Sequence, residues 1–187
     1  MSFERLHPAV QHHIVNSLGW RQLRPLQEAA IVPLLEGNDA ILLAPTAAGK
    51  TEAAMLPILS RMVAEEWSGL SVLYLCPLRA LANNLGPRLG GYAQLVGRQA
   101  EVWHGDTTQG DRKRIRRDPP DVLITTPESV EAQLVSRFTD EHVFFGDLRA
   151  VIVDEVHAFA GADRGWHVLA VLSRLEELTR RPLQRIG

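Results

Sequence analysis

Five short apolar runs constrain how this chain can fold: Ala40-Ile41-Leu42-Leu43, Val72-Leu73-Tyr74-Leu75, Val102-Trp103, Val122-Leu123-Ile124-Thr125 and Val151-Ile152-Val153. Most are rich in β-branched residues and continuously apolar. They lack the alternation of a strand with one wet face. A strand that is apolar on both sides needs cover on both sides, as in a parallel sheet between layers of helices. The segments between the runs supply that cover. Residues 25–35, 52–66, 129–135 and 166–178 each repeat apolar side chains at helical spacing. Strand and helix alternate, so the predicted class is α/β, with a mainly parallel central sheet, right-handed crossovers and helices on both faces. Residues 8–36 read as two helical segments joined at Gly19-Trp20, a lead-in to the core over residues 37–187.

The length of 187 residues suits one domain, and 45% apolar residues suffice for its core. A charged fraction of 22% argues against disorder. The net charge of −2 gives no general attraction to phosphate, so nucleic-acid affinity would need local patches. The single cysteine, Cys76, excludes an intrachain disulfide and a Cys-rich zinc site; it reads as a buried, inert thiol. His12, His13, His104, His142 and His167 have no metal-ligand spacing, so no structural zinc is expected. No run is long enough to span a membrane, and the first residues have no signal-peptide layout. The default setting is therefore reducing and cytoplasmic.

Two motifs carry chemistry. Ala44-Pro45-Thr46-Ala47-Ala48-Gly49-Lys50-Thr51 follows a predicted strand and opens a predicted helix. Backbone N–H groups at a helix start carry partial positive charge and hold phosphates. Gly49 allows close backbone approach, Lys50 reaches β- and γ-phosphates, and the Thr51 hydroxyl ligates Mg²⁺. The second motif is Asp154-Glu155, at the end of an apolar strand, where α/β sheets bind ligands. Neighbouring strand residues point to opposite faces, so the two acids are expected to act differently. Asp154 would hold Mg²⁺, and Glu155 would orient and deprotonate the attacking water. In-line phosphoryl transfer needs both.

Asp154-Glu155-Val156-His157 is a DExH box, and with residues 44–51 it resembles motifs II and I of superfamily 2 helicases. The resemblance implies a three-layer RecA-like P-loop NTPase domain that binds ATP and Mg²⁺. Arg24-Pro25-Leu26-Gln27 resembles the glutamine motif, which implies that Gln27 contacts adenine, and Phe3 lies where the family places an aromatic over the base. His157 either couples the nucleotide site to other elements or is a plain structural histidine. Residues 77–84 resemble motif Ia and residues 125–129 motif Ib. These imply a strand-binding surface using Arg79, Asn83, Thr126, Glu128 and backbone N–H groups of the same turns. His104-Gly105-Asp106-Thr107 and Arg164-Gly165 are similar to the large helicase-related (Lhr-like) branch, which implies 3′-to-5′ movement on single-stranded or partly duplex nucleic acid, DNA favoured over RNA.

Two departures stand out. Ala47 and Ala48 occupy positions where many relatives have Gly and Ser, which predicts right-handed dihedrals at Ala47. The chain stops at Arg185-Ile186-Gly187, where the family continues into a Ser-Ala-Thr strand and a second RecA-like motor domain bearing arginine fingers. An arginine from a partner domain is worth ~10³–10⁵ in rate, so the half-domain is expected to bind nucleotide and turn it over poorly. The basic run Arg112-Lys113-Arg114-Ile115-Arg116-Arg117 either tracks a nucleic-acid backbone or forms a solvated helix face. A non-enzymatic nucleotide-responsive binding module is the alternative to a motor domain. A phosphate-loop kinase or small-molecule ATPase would need a lid or substrate pocket, and no such insertion is visible.

Overall fold

The computed structural model describes residues 2–45, 48–161 and 163–187. Five strands, β1 (Val72–Leu75), β2 (Ala100–Trp103), β3 (Val122–Thr125), β4 (Ala150–Val153) and β5 (Gln184–Ile186), form one parallel sheet in the order β2-β3-β1-β4-β5. The continuous apolar runs are explained by two cores, one on each face. Val72, Tyr74, Val122, Ile124 and Ile152 point into the first, among residues of α2 (Pro25–Leu35), α3 (Lys50–Ala64) and α4 (Arg79–Leu95). Leu73, Leu75, Leu123, Val151 and Val153 point into the second. There they meet α5 (Gln109–Arg117), α6 (Pro127–Leu134), α7 (Glu141–Phe145) and α8 (Asp163–Thr179). Helices on both faces of a parallel sheet give the predicted three layers. The short α1 (Pro8–His12) leads in and widens into a further turn over residues 13–17.

The first apolar run departs from expectation. Residues 40–43 form no strand of their own; Ala40 bridges Ile186, and Leu42 N–H donates to the Gly187 carbonyl at 2.6 Å. Ile41 and Leu43 are 69% and 82% exposed. With exposed Trp166 and Leu169 nearby, Ile41 borders an apolar groove of about 840 Å³.

Helix α4 forms in spite of Gly86, Pro87, Gly90 and Gly91 in its interior. Gly86 has a packing reason: a Cβ there would lie 2.5 Å from Val102 Cγ2, so the glycine lets α4 lie close on β2. Parallel strands deliver their following loops to one edge. Residues 76–79, 104–107, 126–128 and 154–157 are thereby gathered at the carboxyl edge of the sheet.

Candidate functional site

The phosphate loop lies between the run at 40–43 and α3. The Ala48 N–H donates to the Pro45 carbonyl at 3.2 Å, and Lys50 Nζ donates to the Ala44 carbonyl at 3.0 Å. Lys50 is thus folded back over its own loop. Gly49 caps α3 at φ 85°, ψ 32°, a left-handed conformation that suits glycine. A Cβ on it would lie 2.5 Å from Gln27 Nε2. The close approach is therefore by Gln27, a 4% exposed side chain whose Oε1 accepts the Arg24 N–H at 2.9 Å. Thr46 and Ala47, with the dihedral expectation for Ala47, lie outside the described residues.

The DExH turn faces this loop. Asp154 N–H donates to the Leu75 carbonyl at 2.8 Å, which holds the turn against the end of β1. The strand ends at Val153, so the two acids are not divided by strand alternation, contrary to the sequence reading. A left-handed turn at Glu155, φ 48° and ψ 47°, sets their directions instead. Left-handed backbone at a non-glycine residue is strained, and strain of this kind concentrates at functional sites. Burial, and then the neighbouring Glu155 charge, push the Asp154 carboxyl above its ordinary value, against the Glu155 N–H, the Lys50 charge and the Tyr74 hydroxyl. His157 is exposed, with Nδ1 3.3 Å from Glu155 Oε2.

Gln27, Lys50, Thr51, Asp154 and Glu155 line one cleft of about 660 Å³. The donor set suits a hard divalent cation. Thr51 offers a hydroxyl, and Asp154 a carboxylate destabilised by a neighbouring negative charge that a cation would offset. Among the described residues no group of three or more His, Cys, Asp or Glu could hold a metal. One carboxylate beside substrate phosphates is the usual arrangement for Mg²⁺.

Several lining residues were not anticipated. Trp20, Arg21 and Arg88 border the cleft, whereas Phe3 packs against the first core and does not line it. Trp20 stands four positions ahead of Arg24, where the glutamine-like segment begins, a signal that the sequence carried. Arg88 had none, because it depends on how α4 lies. It pairs with Glu52, a 2% exposed carboxylate that also accepts the Tyr92 hydroxyl at 2.8 Å.

The four expected strand contacts do not form one open row. Arg79 is 58% exposed and pairs with Asp106 at 2.9 Å. Asn83 Oδ1 is 2.7 Å from Nε2 of the buried His104. Thr126 is buried, with Oγ1 3.1 Å from the Ser129 hydroxyl. Glu128 is half exposed and engaged by Arg164. Three cations of the basic run of α5 are paired within the protein, and Lys113 and Arg117 are exposed. Arg114 forks onto Glu101, Arg112 donates to the His104 and Gly105 carbonyls, and Arg116 reaches Thr139 and lies over the Trp103 ring.

Residues 24–186 match the model of the DEAD/DEAH box helicase family. The chain belongs to that family. It is 40% identical over 178 residues to the Lhr helicase/probable uracil glycosylase of Mycolicibacterium smegmatis and 37% identical over 171 residues to the Lhr helicase/uracil glycosylase of Escherichia coli. These matches take in 87% and 80% of this chain but only 12% and 11% of those proteins. The solved structure of the M. smegmatis helicase Lhr, bound to single-stranded DNA and AMP-PNP, superposes with a TM-score of 0.90 at 34% identity. That superposition covers 100% of this chain and 25% of the other. The fold is therefore the RecA-like helicase domain, and the relatives carry the large helicase-related branch. No helix among the described residues is long and apolar enough to cross a membrane.

Proposed function

We propose that residues 1–187 form one ATP-binding motor domain of a nucleic-acid helicase or translocase. The observation that carries this reading is the single cleft shared by Lys50 and Thr51 on one side and Asp154 and Glu155 on the other. Lys50 leaves the Ala44 carbonyl to bind the β- and γ-phosphates. Gln27 contacts the adenine. Pro45, Thr46, Ala47, Ala48 and Gly49 wrap the phosphates with backbone N–H groups. Thr51 and Asp154 would hold Mg²⁺, which would supply charge neutralisation at the phosphates. Glu155 orients the attacking water and takes its proton. His157, beside Glu155, carries the state of the site to its neighbours.

A single strand of nucleic acid lies across the turns at 77–79 and 126–128. The similar Lhr structure holds single-stranded DNA, which supports DNA as the preferred partner. Movement requires a second RecA-like domain, whose arginines supply the remaining rate.

The test is steady-state ATP turnover by this chain, with oligothymidylate, with oligouridylate and with neither, beside Glu155→Gln. Slow turnover that the strand does not stimulate, with measurable nucleotide binding, fits an incomplete motor. Robust strand-stimulated turnover abolished in the variant would mean that catalysis is complete without partner arginines. A chain that binds no nucleotide would refute the proposal.

A further inference from the structure

One side chain fastens three of the loops at the carboxyl edge. Arg164, the second residue of α8, donates from Nε and Nη2 to Glu128 Oε1 at 3.1 and 2.9 Å, and from Nη2 to the Pro77 carbonyl at 2.8 Å. Its guanidinium lies 5.1 Å from the centre of the Phe159 ring. Glu128 is the second residue of α6, and Pro77 lies between β1 and α4. Phe159 closes the turn that carries the DExH box.

The local sequence is fitted to this placement. A Cβ on Gly165 would lie 2.6 Å from the Phe159 carbonyl oxygen, so glycine lets the start of α8 fold back against that turn. Arg164 is thereby aimed across the edge. Burial would raise the Glu128 carboxyl; its own backbone N–H, the Thr126 hydroxyl and Arg164 outweigh that and hold it below its ordinary value. The exit of β1 is gripped twice, at the Leu75 carbonyl by Asp154 N–H and at the Pro77 carbonyl by Arg164. The DExH turn is thus tied, directly and through Arg164, to the starts of both α4 and α6.

We infer that Arg164 is a positioning residue that couples nucleotide binding at Asp154 and Glu155 to strand binding at the 77–79 and 126–128 turns, an inference resting on the function proposed above. Glu128 then serves as the anchor of Arg164 more than as a strand contact. A planar guanidinium makes these contacts together; the single ammonium of a lysine cannot.

The test uses the 187-residue chain, mant-labelled AMP-PNP with Mg²⁺, and oligothymidylate. The ratio of the nucleotide Kd without and with oligothymidylate is the coupling factor, and the reciprocal titration must return the same value. The wild-type factor is expected at about fivefold or more. Arg164→Ala brings it close to one, with the strand-free nucleotide Kd near wild type and a cooperative melting transition retained at a lower midpoint. Arg164→Lys falls between, and Glu128→Gln combined with Arg164→Ala loses no more than Arg164→Ala alone.

Unchanged coupling in Arg164→Ala overturns the inference. A wild-type chain that binds both ligands without coupling overturns it too, while leaving the proposed function standing. A chain that binds neither overturns both.

Discussion

Replacing Gly49 by alanine imposes two separable costs. The first is conformational: at φ 85° an alanine is in the left-handed region, which costs about 1–2 kcal/mol. The second is a contact, since the new Cβ would lie 2.5 Å from Gln27 Nε2. The far end of an exposed glutamine would swing away at little cost. Gln27 is 4% exposed and holds the Arg24 N–H, so its retreat breaks that hydrogen bond, worth about 0.5–1.5 kcal/mol. Gly97 supplies the control, because it sits at φ 71° with no atom within 4 Å of its would-be Cβ. Urea unfolding should give Gly97→Ala a loss of about 1–2 kcal/mol. Gly49→Ala should lose about 1.5–3.5 kcal/mol, the sum of both costs. In a Gln27→Ala background the contact is gone, and the Gly49→Ala loss should shrink to the Gly97→Ala value. Equal losses for the two glycines in the wild-type background, or no relief from Gln27→Ala, would refute the reasoning.

Three further outcomes are expected. Arg114→Ala with Arg116→Ala should lower stability but leave the salt dependence of strand binding unchanged, since both side chains are tied to the protein; a slope shallower by about 0.7 per arginine would show phosphate contact with a single strand. Cys76, buried and with its thiol pushed up to about 12 by burial and then by Asp154, should resist thiol reagents in the folded chain and react only on unfolding; labelling at the native rate of an exposed cysteine would contradict this. The Glu176 carboxyl is held below its ordinary 4.5 by the Arg185 guanidinium, against burial and with help from the Leu183 N–H. The unfolded chain therefore takes up this proton first, and the stability it contributes is present above about pH 4.5 and lost as pH falls through the folded value. Between about pH 5 and pH 3, Glu176→Gln should lose less of its melting midpoint than wild type does; an equal loss would remove Glu176 from the acid limb.

The sheet and its two-sided cover were legible because they depend on one-dimensional pattern: a strand buried on both faces must be apolar at every position. The phosphate loop and the DExH turn were legible for a similar reason, being contiguous segments whose chemistry travels with their order. What failed was whatever depends on the third dimension. Residues 40–43 look like a strand, and they pair in parallel alongside β5 through a bridge at Ala40 and a hydrogen bond at Leu42 without forming a strand of their own. The alternation argument for Asp154 and Glu155 failed because the pleat stops one residue earlier. Helix α4 was hidden by glycines and a proline that penalise a helix locally, and the close packing of Gly86 on Val102 is invisible in sequence. Arg88 and Arg164 each act through a partner dozens of positions away, Glu52 and Glu128, with no spacing rule to join them.

The pairings also explain how a chain with net charge −2 can present an edge to a polyanion. The arginines there are paired within the protein: Arg79, itself exposed, holds Asp106, Arg112 holds the carbonyls of residues 104 and 105, and Arg164 holds Glu128 and Pro77. Each fixes a turn between strand and helix. On the proposed function, strand binding rests on turns held in register by arginines whose charges are already paired within the protein. Such an edge releases few counterions when it binds. Its affinity should therefore fall gently with salt, and a steep slope, of the size that a basic groove with about 6–10 phosphate contacts produces, would show that the strand lies elsewhere.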